Sequence, residues 1–264
     1  MPKFLIRDMD SEDEYFVSTC SHVHESEEQD ACGLRRAALF RELAHRGLII
    51  KVARIDEMPI GFAYGIPIEQ ASWGPLGEGL VSIPCLYVLR SATRQGIGRA
   101  LLDAIEVDAR KTERSGLTVT AFRNLPGAEW FMPADYFESC RFSTVDTRGS
   151  EVLLWKPFSS EASPPRFLCP SYRYSPVPGK VSVDLFWNGF CQTSNIEAER
   201  VRKVCTEFGG SVRLTEYCAE ERDVLLRHQI SRAIYVNGKE IFWGYEAPED
   251  GIREAIHHAM AEGS

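Results

Sequence analysis

The chain has 264 residues, of which 44% are hydrophobic and 26% charged, with a formal net charge of −8. That acidic balance argues against a general nucleic-acid partner or an anionic membrane surface, both of which reward basic patches. No run approaches the roughly 18 apolar residues of a membrane helix, and the opening MPKFLIRDMDSEDEYF turns acidic too soon for a signal peptide, so a cytoplasmic setting is expected.

In chain order, FLIRDMD predicts a first strand running into a turn. EDEYFVSTCSHV and GLRRAALFRELAHRG have helical spacing of apolar residues, and the stretch HVHESEEQDAC between them reads as a solvated acidic loop. LIIKVARIDEMPIGFAYGIPI predicts a hairpin turning around Asp56–Pro59, and GLVSIPCLYVL one further strand. IGRALLDAIEVDARK is a helix with Ile97, Ala100, Leu101, Ala104 and Ile105 on one face. GLTVTAF is a strand, GAEWFMPADYFESC a short proline-interrupted helix, and RGSEVLLWKPF a closing strand. The order is that of a mixed α/β domain.

Between Lys156 and Lys180 prolines and serines crowd together, and proline disfavours helix in the residue before it. The expected division is therefore a body over 1–157, a Pro-rich linker over 158–179 and a smaller domain over 180–264. In the smaller domain VSVDLFWNGFCQTSNIEAERVRKVCTEFGG reads as strand, turn and helix, followed by strand SVRLTEYCA, helix EERDVLLRHQI, a hairpin around Asn237-Gly238 and a final helix.

Eight cysteines with no Cys-x-x-Cys pair read as reduced thiols. The densest ligand-like cluster is Cys20, His22, His24 and Cys32. It reads as a helix followed by the acidic loop, and no metal is expected.

The stretch TRQGIGRALL, Thr93 to Leu102, has the glycine spacing of a phosphate loop. A Walker loop needs a Gly-Lys-Ser/Thr that is absent here. A dinucleotide fingerprint fails at its third glycine, which is Leu101, and lacks a ribose-binding acid about 20 residues on. After the strand CLYVL, the segment RSATRQGIGRALLDAI closely resembles the acyl-CoA loop of the GNAT family of N-acetyltransferases, with its (Gln/Arg)-x-x-Gly-x-(Gly/Ala) turn. YFESCRF resembles that family's closing segment, and the resemblance covers roughly residues 3–157.

The resemblance implies an α/β acyl-CoA N-acyltransferase fold and acetyl-CoA as co-substrate. It also implies direct transfer to a small-molecule or peptide amine. Leu86, Tyr87 and Val88 would meet the pantetheine arm, and Arg94, Gln95, Gly96, Ile97, Gly98 and Arg99 the pyrophosphate, with Val88 also offering its amide to the oxyanion. The family's usual Gln/Arg falls on Thr93, so the grip is expected from backbone amides at a helix start. The family's acidic tyrosine aligns with Phe137. Tyr136, one residue earlier, is either the general acid or a core residue, and Cys140 is the other candidate. Glu129 and Asp135 are the base candidates nearest in sequence, with water-mediated deprotonation as the alternative.

The smaller domain, with YVNGK followed by GYEAPEDGIREAI, resembles a thioredoxin-like fold, and its pairing with the body is similar to YoaP-like extensions. Cys191 falls at the start of a helix in Cys191-Gln192-Thr193-Ser194, so a monothiol replaces a dithiol. Arg232 stands where that fold places a proline. A second reading of the whole chain is a non-catalytic acyl-CoA-binding scaffold whose thiol domain binds a partner, a thiol or a metal.

Overall fold

The computed structural model describes residues 4–124, 131–243 and 246–262. The chain forms two compact units: one holds the residues up to Val23 together with Ala37–Leu168, the other His24–Arg36 together with Cys169 onward. Among the described residues no helix is long and apolar enough to cross a membrane.

The first unit begins with β1 (Phe4–Asp8), α1 (Glu14–Ser18) and α2 (Glu27–Ala44), the last of which spans the boundary between the units. Then come β2 (Ile49–Ile55), β3 (Met58–Pro67), β4 (Leu80–Ser82), β5 (Leu86–Val88), α3 (Ile97–Lys111), β6 (Gly116–Phe122), α4 (Ala134–Ser139), β7 (Ser143–Arg148) and β8 (Glu151–Pro157). The eight strands run β1-β2-β3-β4-β6-β8-β7, with β5 attached to β3 alone. On one face α3 and α4 bury Leu101, Ile105 and Phe137 against Ala63, Val81, Val119 and Leu154.

Four expectations need correction. GLVSIPCLYVL is two strands: β4 lies between β3 and β6, whereas β5 pairs only with β3. Pro84 sits between them and has no amide to continue a ladder. The stretch read as an acidic loop contains the start of α2. Ser26 accepts the Gln29 amide at 3.1 Å, and Glu27, Glu28 and Asp30 in the first turn suit the positive end of the helix. Strand β7 is absent from the sequence reading because STVDTR shows no apolar alternation; its side chains are mostly exposed along a sheet edge. Finally, α4 starts only after Pro133, and Met132, at φ 44°, turns its carbonyl to the Phe122 amide instead of into a helix.

The second unit holds β9 (Val181–Trp187), α5 (Gln192–Glu207), β10 (Val212–Cys218), α6 (Arg222–His228), β11 (Ala233–Val236), β12 (Lys239–Ile241) and α7 (Glu249–Glu262). Its sheet runs β10-β9-β11-β12, with β9 and β10 parallel and the other pairs antiparallel. Val183 and Leu185 alternate toward Val201 and Val204 of α5 and Ile252 and Ile256 of α7. On the other face Phe186 stacks on Tyr217 at 4.5 Å and Tyr172 on Tyr235 at 4.0 Å.

The Pro-rich segment is shared out. Phe158 donates its amide to Ser115, Arg166 and Leu76 exchange backbone hydrogen bonds at 2.8 Å, and Phe167 is buried beneath Arg148, all in the first unit. In the second, the Ser171 amide bonds to His228, and the Tyr172 hydroxyl donates to Asp184 at 2.5 Å.

Candidate active site

After β5 the chain makes a tight turn in which Thr93 bonds back to Arg90 through both its amide and its hydroxyl. Arg94 and Gly96 then take φ of 61° and 82°, and Gly96 becomes the N-cap of α3. A Cβ on Gly96 would meet nothing within 4 Å, so the glycine serves the left-handed backbone and leaves open space beside it. No side chain caps α3. Among the described residues the amides of Ile97, Gly98 and Arg99 meet no acceptor. Ile97, Leu101 and Ile105 anchor the helix in the core, so its unsatisfied, positively polarised end is rigidly held.

The neighbouring side chains divide by role. Arg94 is exposed and has no ion-pair or hydrogen-bond partner among the described residues, whereas Arg99 is tied to the Ser139 carbonyl at 2.5 Å. Gln95 buries its Oε1 without a hydrogen-bond partner. An exposed cation, an orphaned acceptor and a row of open amides fit a ligand with a pyrophosphate and adjacent donors. No motif in the sequence signals the orphaned Gln95 oxygen.

The strand register supplies the second half of the site. Leu89 donates to Ile60 and Tyr64 to Cys85, so Phe62 and Tyr87 form the hydrogen-bonded pair between β3 and β5. Alternation then turns the backbone groups of Leu86 and Val88 away from β3. They face the split that opens where β4 ends and β6 continues past Thr118 to Phe122. The Leu86 amide is taken by the Met132 sulfur at 3.3 Å. The Val88 amide has no such partner among the described residues.

Tyr136 of α4 brings its hydroxyl against the first turn of α3, where a Cβ on Gly98 would stand 2.6 Å from it. That hydroxyl is buried and makes no hydrogen bond. Burial, and then the Cys140 thiol beside it, push its pKa well above the ordinary tyrosine range, so it keeps its proton. Phe137 points the other way, fully buried with Phe142 at 5.7 Å. Cys140 is also buried. Asp135 is exposed and faces Arg123 at 3.8 Å, and Glu129 lies outside the described residues.

In the second unit, Cys191 is half-buried and forms the N-cap of α5. Its amide donates to Asn188 Oδ1 at 2.8 Å, the Asn188 amide donates to Ser194 Oγ at 2.9 Å, and Asn188 Nδ2 donates to the Ser231 carbonyl at 3.0 Å. Arg232 forks onto Glu197 at 2.6 and 2.8 Å. The His24–Arg36 segment closes over this loop: Arg36, 1% exposed, donates to the Phe190 carbonyl, and Arg35 to Asn195. Cys32 lies here with its sulfur 3.7 Å from the Gln192 carbonyl. Among the described residues no group of three or more His, Cys, Asp or Glu side chains is placed to hold a metal. Burial pushes the Cys205 thiol up to about 11.

No curated protein matches the chain. Similar solved structures include the PaiA N-acetyltransferase of Thermoplasma acidophilum in complex with coenzyme A, at 17% identity and TM-score 0.41, covering 59% of this chain and 99% of that one. YncA of Salmonella typhimurium, a putative acetyltransferase with acetyl-CoA, is 16% identical at TM-score 0.45, covering 61% and 98%. The ribosomal-protein-alanine N-acetyltransferase of Brucella melitensis is 16% identical at TM-score 0.44, covering 58% and 99%. The profile of the acetyltransferase (GNAT) family matches residues 8–131, which take in the split strands, the glycine loop and α3. Over that stretch, a little under half of its length, the chain is similar to the acetyltransferase (GNAT) family.

Proposed function

We propose that the first unit transfers an acetyl group from acetyl-CoA directly to an amine. The observation that carries the reading is the glycine-capped, unsatisfied N-terminus of α3 standing beside the split between β5 and β6. Amides of residues 96–99 would hold the pyrophosphate, with Arg94 adding charge and Gln95 accepting a donor. Bound there, acetyl-CoA supplies the activated thioester. The backbone groups of Leu86 and Val88 would line the pantetheine arm, whereas those of Tyr87 are engaged by β3.

The chemistry needs an oxyanion donor and an acid. The Val88 amide, turned into the split, would donate to the carbonyl oxygen. The Tyr136 hydroxyl, protonated and without a hydrogen-bond partner, would pass its proton to the departing sulfur. The new N–C bond forms as the C–S bond breaks, and the surplus proton of the amine leaves to water as the tyrosine is reprotonated.

For the second unit we propose a thioredoxin-like fold of the YoaP-like kind. The sheet order, the parallel β9–β10 pair and Cys191 at the start of α5 support it. The hydrogen bonds that Asn188 makes with Cys191, Ser194 and Ser231 favour a structural role for that cysteine. The scaffold alternative is not favoured for a chain with this similarity to an acetyltransferase family.

Calorimetry with acetyl-CoA, followed by release of free coenzyme A thiol in the presence of amines, tests the reading. Micromolar binding and amine-dependent release are expected. Absence of binding overturns it.

A further inference from the structure

The pyrophosphate end of the site lies on the α3 face of the sheet, so a thioester threaded through the split emerges on the opposite face. Alternation along β6 points Thr118, Thr120 and Phe122 opposite to Val119 and Ala121, and at the strand's end the Phe122 and Phe131 rings also pack against the edge of the α3-side core. Phe122, the last residue of β6, meets the Phe131 ring at 5.5 Å. Directly across from Phe122 in β8 stands Glu151. Because Arg123 donates to Ser150, the Phe122–Glu151 pair is of the non-hydrogen-bonded kind, in which side chains on the same face lie closest.

The Glu151 side chain has no hydrogen bond or ion pair among the described residues. Its cross-strand cation, Arg148, is turned to the Leu168 carbonyl at 2.6 Å and over the Phe167 ring at 4.7 Å. Two carboxylates of α3 are different: Glu106 is held by Lys156 and Asp108 by Lys51. Glu151 is reachable from solvent, yet crowding by its neighbours raises its pKa, with Arg148 opposing the shift. A carboxylate without a hydrogen bond or ion pair, across the strands from a ring that meets a second ring, suits an ammonium group on an apolar body, through a charge-assisted hydrogen bond and ring contact.

Resting on the acetyltransferase reading, we infer that Glu151, Phe122 and Phe131 form the acceptor subsite and select a cationic amine carried on an apolar, ring-bearing body. Glu151 is a specificity-determining residue, engaging the amine before it is deprotonated and leaving the acetyl donor untouched.

The test measures acetyl-CoA affinity by calorimetry and steady-state acetylation of 2-phenylethylamine and of glutamate. Wild-type protein is expected to favour 2-phenylethylamine at least tenfold in kcat/KM. Glu151→Gln is expected to raise the KM for that amine about tenfold, with kcat and the acetyl-CoA Kd unchanged. Glu151→Asp should recover part of the loss, a rescue that a purely structural role would not show, and Phe122→Ala should raise KM as well. If wild-type protein binds acetyl-CoA but does not acetylate 2-phenylethylamine, shows no preference for it, or gives an unchanged KM in Glu151→Gln, this inference alone is overturned. No acetyl-CoA binding by the wild-type protein overturns the acetyltransferase reading and this inference with it.

Discussion

Helices α3 and α5 each follow a strand and begin in a polar loop, but their N-termini lie in different surroundings. At α3 the cap is a left-handed glycine with open space around it, and the first amides are left without acceptors. At α5 the cap is Cys191, and Asn188 and Ser194 knit the preceding loop together. Gln192, Thr193, Ser194 and Asn195 are all buried there. The same dipole is present at both ends. Neither helix has a side-chain cap, but α3 starts beside open space at Gly96, whereas the first turn of α5 is buried behind a loop held by polar side chains.

The largest way to break this comparison is Gly96→Asp. A carboxylate at the open end of α3 should weaken acetyl-CoA binding at least about a hundredfold in calorimetry, through charge repulsion with the phosphates. The left-handed backbone costs about 1 kcal/mol for a non-glycine residue, so the melting temperature should fall by only a few degrees. An unchanged Kd would mean that the α3 terminus is not the donor site. Tyr136→Phe should lower kcat about a hundredfold while leaving the acetyl-CoA Kd alone. Because it removes a buried hydroxyl without a partner, denaturant unfolding should show stability unchanged or higher by about 1 kcal/mol.

Asn188→Ala sharpens the contrast from the other side. Losing a buried residue that accepts from Cys191 and donates to Ser231 should cost the second unit about 2 kcal/mol, read by amide exchange along α5. The acetyl-CoA Kd should stay within twofold. The smallest effect belongs to Cys191→Ser, with stability within about 0.5 kcal/mol and acetyl transfer unchanged. A marked loss of turnover in that variant would show that the two helix starts are both functional.

How far the sequence could be read followed where side chains decide structure. The α3 stripe and the Gly96-x-Gly98 spacing are local patterns, so the helix and its open start were legible. The break at Pro84 was harder to see, since Val81 to Val88 reads as one apolar run and only the competing pairings with β3 and β6 separate it. Strand β7 has no buried face to impose alternation, and α2 begins among acids that are equally at home in a loop. The orphaned Gln95 oxygen, the turn of Tyr136 toward Gly98 and the turn of Arg148 to the Leu168 carbonyl arise from tertiary placement. No spacing of residues encodes them.

Helix α2 carries a consequence for anyone hoping to study the units apart. The first unit cannot be obtained by ending the chain at Leu168, because residues 24–36 belong with the portion removed. Such a shortened chain would keep Arg36 and Cys32 while losing the Phe190 and Gln192 carbonyls they meet, and would keep Glu28 without Arg200. It would put a stretch of helix built for burial into water, midway along an otherwise intact domain. One unit is threaded into the sequence of the other, so neither can be cut out as a single continuous piece.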